Sequence, residues 1–195
     1  FFHRRQPYPA EATPFRFLLC SRLLKSKGIA LFARSIAQLQ QKGYAVEGWL
    51  LGLPETSHPD KLPAADLDNW CAQGWMVYKG ATGDVRPWLE QAHAYAFTSH
   101  YNEGVPRSLM EAASMELPVL VPDLRGCRDL VTDGETGFLF RPHDPAHLLE
   151  KMEAMLHLPA EQRRAMGAAG RALVQAQFET DKVIAIYRET IAKSL

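Results

Sequence analysis

Phe15-Arg16-Phe17-Leu18-Leu19-Cys20-Ser21-Arg22-Leu23-Leu24-Lys25-Ser26-Lys27-Gly28-Ile29 is the stretch on which the fold turns. Phe15–Cys20 is a short apolar run of the kind that fills a buried strand. From Ile29 the period changes. Ile29, Phe32, Ala33, Ile36 and Leu39 recur at helical spacing, which predicts a helix over Ile29–Lys42 with Gly43 at its C′ position. Strand, basic loop and helix make the opening of a βαβ unit.

The same alternation continues downstream. Strands are expected at Val46–Leu51, Met76–Tyr78, Tyr95–Thr98, Pro118–Val121 and Gly137–Phe140. Helices are expected at Pro63–Ala72, Val85–Ala92 and Pro106–Met115, with a short one over Gly126–Thr132. Asp144-Pro145 reads as N-cap and N1 of a helix reaching about Leu156, and two more helices follow near Ala160–Gln177 and Asp181–Ser194. Arg163-Arg164 reads as a solvated helix face. Residues 1–14, with Pro7, Pro9 and Pro14, read as an extended lead-in or linker, and 15–195 as one domain. The expected fold is α/β: a Rossmann-like, doubly wound parallel sheet with C-terminal helices. Such sheets bind ligands beyond the carboxyl ends of their strands, which directs attention to the loops there.

Composition narrows the partners. Hydrophobic residues make up 47% of the chain, enough for a sizeable core. Lys plus Arg (22) equals Asp plus Glu (22), so neither nucleic acid nor an anionic membrane is suggested as the main partner. Cys20, Cys71 and Cys127 are widely spaced with no Cys-x-x-Cys pair, which suits a reducing cytoplasm. No apolar run nears the roughly 18 residues of a membrane span.

The basic loop Ser21–Gly28 suits a phosphorylated ligand. Arg22 presents a planar fork of donors and Lys27 a compact charge, for two oxygens of a diphosphate. Lys25 is expected to face solvent. Gly28 and the amides after it stand where an anion meets a helix N-terminus. A merely solvated basic loop is the competing reading. Neither the Walker spacing nor a G-x-G-x-x-G fingerprint is present.

The richest segment is Ser99-His100-Tyr101-Asn102-Glu103-Gly104-Val105-Pro106-Arg107-Ser108-Leu109-Met110-Glu111. Gly104 lets backbone approach a ligand, and the helix from Pro106 directs free amides toward the strand ends. Glu111 shares a helical face with Arg107 and Ser108. Carboxylates only accept hydrogen bonds, so Glu103 and Glu111 suit sugar and ribose hydroxyls better than paired acid–base work. Ordinary surface carboxylates are the alternative.

These motifs resemble the C-terminal domain of the family 4 retaining glycosyltransferases, whose GT-B fold has two facing Rossmann-like domains. Arg22-Leu23-Leu24 with Lys27-Gly28 is similar to the family's phosphate-binding motif, and Glu103-Gly104-Val105-Pro106 with Glu111 matches its Glu-x₇-Glu signature. Pro118–Val121, Gly126 and Asp133–Leu139 resemble the stretch that follows. Finer details at Asp84–Pro87, Arg107 and Gly126-Cys127-Arg128 resemble bacterial enzymes of O-antigen, capsule or related lipid-linked glycans.

The resemblance implies roles. Arg22 and Lys27 would hold the donor diphosphate, Glu111 the ribose, and Glu103 the transferred sugar. Amides from Gly104 through Val105, Pro106, Arg107 and Ser108 to Leu109 would line the sugar and distal phosphate. The base would lie near Gly80–Asp84. It also implies a nucleoside-diphosphate sugar donor, with a UDP-sugar favoured, no cofactor and no obligatory divalent metal. A glycan or lipid-linked acceptor would sit on an N-terminal domain that does not precede Phe15, so an excised or truncated half is expected, binding donor but turning over poorly. Localisation would be cytoplasmic, with peripheral inner-membrane association of the full enzyme. A GT-B nucleotide-sugar epimerase and a non-enzymatic nucleotide-binding module are the other candidates. His143 and His147 read as surface histidines rather than metal ligands, His100 as either a donor contact or a strand-end residue, and the four tryptophans as core.

Overall fold

A computed structural model describes residues 2–9, 13–101, 104–178, 184, 188 and 191. Six parallel strands form one sheet in the order β3-β2-β1-β4-β5-β6. They are β1 (Phe15–Cys20), β2 (Val46–Leu51), β3 (Met76–Tyr78), β4 (Ala94–Ala96), β5 (Val119–Pro122) and β6 (Gly137–Phe140). The helices are α1 (Ile29–Gln41), α2 (Ala64–Ala72), α3 (Arg86–Gln91), α4 (Arg107–Ser114), α5 (Pro145–His157) and α6 (Ala160–Phe178). Each strand expected from the sequence is present, and the sheet is doubly wound.

The two faces explain why the strands are almost uniformly apolar. Phe15, Phe17 and Leu19 pack with α1, α2 and α5 through Phe32, Ile36, Trp70 and Met152. Leu18, Tyr95 and Val119 point the other way, against Leu89 of α3, Leu109 of α4 and Val174 of α6. A sheet covered on both faces excludes water from alternate residues alike. α5 starts as expected: the Asp144 carboxylate accepts the His147 amide at 2.9 Å, with Pro145 in the first turn. Gly43 follows the α1 C-cap with φ 89°.

Three local expectations need correction or bounds. Gly126–Thr132 makes no helix; turns occupy it through Leu130, the Asp123 backbone and side chain holding Arg128 from outside. Arg163 is not on a solvated face. It is 7% exposed, lies over the Phe15 ring at 5.2 Å, and donates to the Tyr8 hydroxyl and the Leu158 carbonyl. The helix expected over Asp181–Ser194 falls mostly outside the described residues.

The lead-in is extended but docked. Arg4 spreads its guanidinium over three carbonyls, Met115 (3.0 Å), Glu90 (2.8 Å) and Leu89 (3.1 Å). The Tyr8 hydroxyl donates to the His93 carbonyl at 2.6 Å, and Arg171 of α6 donates to the Phe2 carbonyl. Residues 2–8 are thereby tied to α3, α4 and α6, at the end of the sheet opposite the strand carboxyl ends.

Candidate functional site

Strand order reverses between β1 and β4. Connections leave these neighbours in opposite directions, so a crevice opens above their carboxyl ends. The basic loop after β1 and the loop before α4 flank it. The basic loop ends in a one-turn 3-10 helix, Lys25–Lys27, not in a smooth run into α1.

Gly28 caps both helices with φ 70°, and a Cβ there would stand 2.1 Å from the Thr98 carbonyl oxygen. Only glycine satisfies both conditions. The Gly28 amide is spent on the Lys25 carbonyl at 3.0 Å, so the expected role for that N–H in anion binding is corrected. From the β4 side the Thr98 hydroxyl donates to the carbonyls of Lys27 (3.0 Å) and Gly28 (3.1 Å), and the His100 amide donates to the Ser26 carbonyl. The two loops therefore form one hydrogen-bonded unit.

Arg22 is exposed, Lys25 is exposed and Lys27 is half-buried. Arg22 and Lys27 line the same pocket of about 240 Å³, together with Ser26, His58, Asp60 and Tyr101. Across the crevice, Gly104 is exposed, Val105 half-buried and Pro106 buried; Pro106 is the N-cap of α4 rather than its first residue. The amides of Arg107 and Ser108 precede any carbonyl within the helix, while those of Leu109 and Met110 bond to Pro106. Leu109 itself points into the core. Glu103 lies outside the described residues.

Glu111 lies on α4 near the end of β1. Its carboxylate accepts from Arg107 Nε at 3.0 Å, the helical pairing expected from spacing. It also lies close enough to Cys20 to act on that thiol, which burial first and the Glu111 charge second push up to about 12. Tyr95 donates to the Cys20 carbonyl at 3.2 Å and hydrogen-bonds Ser108, and full burial holds its phenol well above the usual range. The ends of β1 and β4 and the first turn of α4 thus lock together.

Beyond β3, the Gly52 amide donates to the Gly80 carbonyl at 3.0 Å. The loop there turns through Thr82 and Asp84 into α3, and Arg86 forks onto Asp84 with 2.8 Å contacts. Hydrogen bonds from the Arg86 side chain, then from its amide, hold the Asp84 carboxyl down at about 2. Lys79 sits over Trp49 at 4.3 Å and Trp88 at 5.4 Å.

Gly52–Pro54 is one of the strand-end loops where a ligand is expected, but no site residue is expected from the stretch 55–63 that follows it. The segment between β2 and α2 folds over the basic loop: Leu23 bridges Pro54, Leu24 bridges Lys61, and the Leu62 amide donates to the Leu23 carbonyl. Glu55 pairs with Arg22 at 3.5 Å, and the Asp60 carboxylate accepts the Ser26 amide at 3.0 Å. The prolines at 54, 59 and 63 mark turns, but nothing local says which neighbour the turns fold onto.

His100 and His143, 5.1 Å apart, stand at a second cleft of about 260 Å³ behind the basic loop, between α1 and the start of α5. His147 accepts the Arg141 amide at Nδ1. Trp49 and Trp70 are buried, and Trp75 and Trp88 pack partly buried against the core.

Residues 2–173 match the family described as glycosyl transferases group 1. The chain belongs to this family. Among curated group 1 relatives, it is 27% identical over 159 residues to the capsular polysaccharide biosynthesis glycosyltransferase CapM of Staphylococcus aureus, covering 82% of this chain and 41% of that protein. It is 27% identical over 139 residues to the N,N'-diacetylbacillosaminyl-diphospho-undecaprenol alpha-1,3-N-acetylgalactosaminyltransferase of Campylobacter jejuni, covering 71% of this chain and 35% of that one. The chain therefore spans less than half the length of these relatives. The structure of Anabaena Alr3699/HepE in complex with UDP superposes with a TM-score of 0.83 at 20% identity, over 93% of this chain and 50% of that one. The pneumococcal O-GlcNAc transferase GtfA, in complex with UDP and GlcNAc, superposes at 0.75 and 21% identity over 98% and 38%. The Rossmann-like fold expected for a group 1 domain is thus the one observed. Among the described residues no helix is long and apolar enough to cross a membrane.

Proposed function

We propose that this chain is the donor-binding domain of a retaining glycosyltransferase that uses a UDP-sugar in bacterial surface polysaccharide synthesis, at the cytoplasmic face of the membrane. The observation that carries the reading is the shared pocket of Arg22 and Lys27 at the β1–β4 crevice, facing the loop that leads into α4. Names of relatives, for capsular polysaccharide and for colanic acid biosynthesis, support the pathway class. Neighbouring structures holding UDP and UDP-glucose support the donor.

In this reading Arg22 and Lys27 take the diphosphate, the Arg107 and Ser108 amides add a helix N-terminus, and Glu111 accepts from the ribose hydroxyls. Glu103, Gly104 and Val105 meet the sugar, Pro106 and Leu109 fix the turn, and the base lies toward Gly80–Asp84. The bond from the anomeric carbon to the distal phosphate oxygen breaks. The acceptor oxygen attacks from the same face and the departing phosphate takes its proton. The protein supplies positioning and charge, with two side-chain cations where other enzymes place a divalent ion. The acceptor, a glycan or lipid-linked saccharide, is held by residues beyond this chain.

Calorimetric titration with UDP, GDP, ADP and UDP-sugars tests the reading. Saturable binding of a uridine nucleotide, weakened at least tenfold by Lys27→Ala (about 1.4 kcal/mol), is expected. Equal affinity with and without Lys27 overturns the phosphate assignment.

A further inference from the structure

The pocket that Arg22 and Lys27 share is completed by a side chain from a different element. His58 belongs to the segment between β2 and α2 and lines that pocket beside the basic loop. Its Nδ1 accepts the Asp60 amide at 3.1 Å. An amide can only donate, so Nδ1 is the unprotonated nitrogen and a neutral imidazole carries its proton on Nε2. The backbone thereby fixes the tautomer and leaves the ring one donor, at Nε2.

The remaining lining shows what that donor is for. Arg22 and Lys27 bring donors and positive charge. Among the described residues Asp60 is the one carboxylate lining the pocket, and Ser26 engages it through backbone and side chain, which keeps its carboxyl below the usual range. Its acceptor oxygens thus face the loop's own amide and hydroxyl. A volume of about 240 Å³ is below the roughly 300–1,000 Å³ of clefts that enclose whole drug-sized ligands. It suits one charged group of a larger molecule.

We infer that His58 is a further phosphate-binding residue of the donor site, donating from Nε2 to the nucleotide diphosphate that Arg22 and Lys27 neutralise. The inference rests on the donor-site reading and adds to it a contact from outside both motifs. It also assigns Asp60 a positioning role: its amide holds the imidazole and its carboxylate holds the turn at Ser26. The segment after β2 then forms a wall of the phosphate pocket and carries one of its donors.

The test compares wild type, His58→Asn, His58→Gln and Lys27→Ala by calorimetry with UDP, GDP, ADP and uridine, alongside thermal melts. Asparagine keeps an acceptor for the Asp60 amide but loses the Nε2 donor; glutamine restores a donor near the Nε2 position. For the nucleotide that binds, His58→Asn is expected to weaken affinity at least fivefold, His58→Gln to recover most of it, and uridine to be unaffected. A His58→Asn affinity within twofold of wild type, with Lys27→Ala still weakened, overturns the role of His58 and leaves the donor-site reading standing. Binding indifferent to Lys27, or no binding of any nucleotide by wild type, overturns both.

Discussion

Thr98 and Gly28 hold the crevice together by mutual exclusion and attraction. The Thr98 hydroxyl donates to the Gly28 carbonyl at 3.1 Å, while its own carbonyl leaves no room for a side chain at 28. Gly28→Ala therefore meets a fixed backbone atom and a left-handed φ of 70° together. Overpacking costs about 1–3 kcal/mol and a left-handed alanine about 1 more. At about 2–4 °C per kcal/mol for a domain of this size, the melting temperature should fall by roughly 5–15 °C. Gly134→Ala is the control: its φ is 80° but nothing lies within 4 Å, so only the strain applies. Equal melting temperatures for the two variants would contradict the close approach.

Arg107 and Glu111 separate stability from recognition. Their ion pair is 86% exposed on the arginine side, so Arg107→Ala should cost no more than about 0.5 kcal/mol of stability. Glu111→Gln should leave the melting curve nearly unchanged but weaken uridine-nucleotide binding roughly tenfold, because a charged acceptor for two hydroxyls becomes a neutral one. Calorimetry on both variants checks this, and equal losses of affinity would argue against the ribose role.

Arg4 offers a purely structural prediction. Its guanidinium serves three carbonyls from α3 and the end of α4, and Arg4→Ala leaves them without that donor. Hydrogen bonds to charged groups are worth about 1.5–3 kcal/mol each and add imperfectly. A loss of about 2–4 kcal/mol in urea unfolding is expected, with nucleotide affinity unchanged, since the strap lies at the far end of the sheet.

Asp84 should shape the acid limb of stability. Its folded-state value of about 2, set by Arg86, lies below the ordinary 3.8. A depressed carboxylate contributes stability above its unfolded value, lost as pH falls through the folded one. The contribution should thus be present at neutral pH and disappear between about pH 4 and pH 2. Asp84→Asn should flatten the urea midpoint against pH in that window, and an unchanged slope would count against the Arg86 fork.

Cys20 should be inert. With its thiol pushed up to about 12 and its side chain packed against the core, only about one molecule in ten thousand is thiolate at pH 8. Cys20 and Cys71 are both partly exposed and Cys127 is buried, so peptide mapping after iodoacetamide treatment of native protein should find Cys71 alkylated well before Cys20, held back by its raised thiol, and before Cys127.

Much of this was legible in the sequence because it is local. Phe15–Cys20 and Ile29–Gln41 declare strand and helix by their own periodicity, and the alternation of such elements leaves few sheet topologies. Ligand loops then follow from strand ends, which is how Arg22, Lys27 and the α4 entrance were singled out. Asp144 announced its helix because a cap acts within one turn. Gly126–Thr132 forms turns in place of the expected helix: the Arg128 amide donates to Leu124, the Leu130 amide to Cys127, and the Arg128 side chain folds back onto Asp123.

What the sequence by itself determined, then, is the run of elements, the basic loop and the helix that faces it, each encoded by neighbours along the chain. Only the tertiary structure decided that Arg163 is buried while Arg164 is exposed, and that His58 and Asp60 join the pocket of Arg22 and Lys27. The reason is physical. Arg163 becomes tolerable inside because Tyr8, more than a hundred residues away, brings an oxygen and Phe15 a ring face, and His58 meets Arg22 and Lys27 because the segment after β2 folds over the basic loop through Leu24–Lys61 and Leu23–Leu62 contacts. Partners distant in sequence leave no local periodicity, so they appear only once the chain has closed on itself.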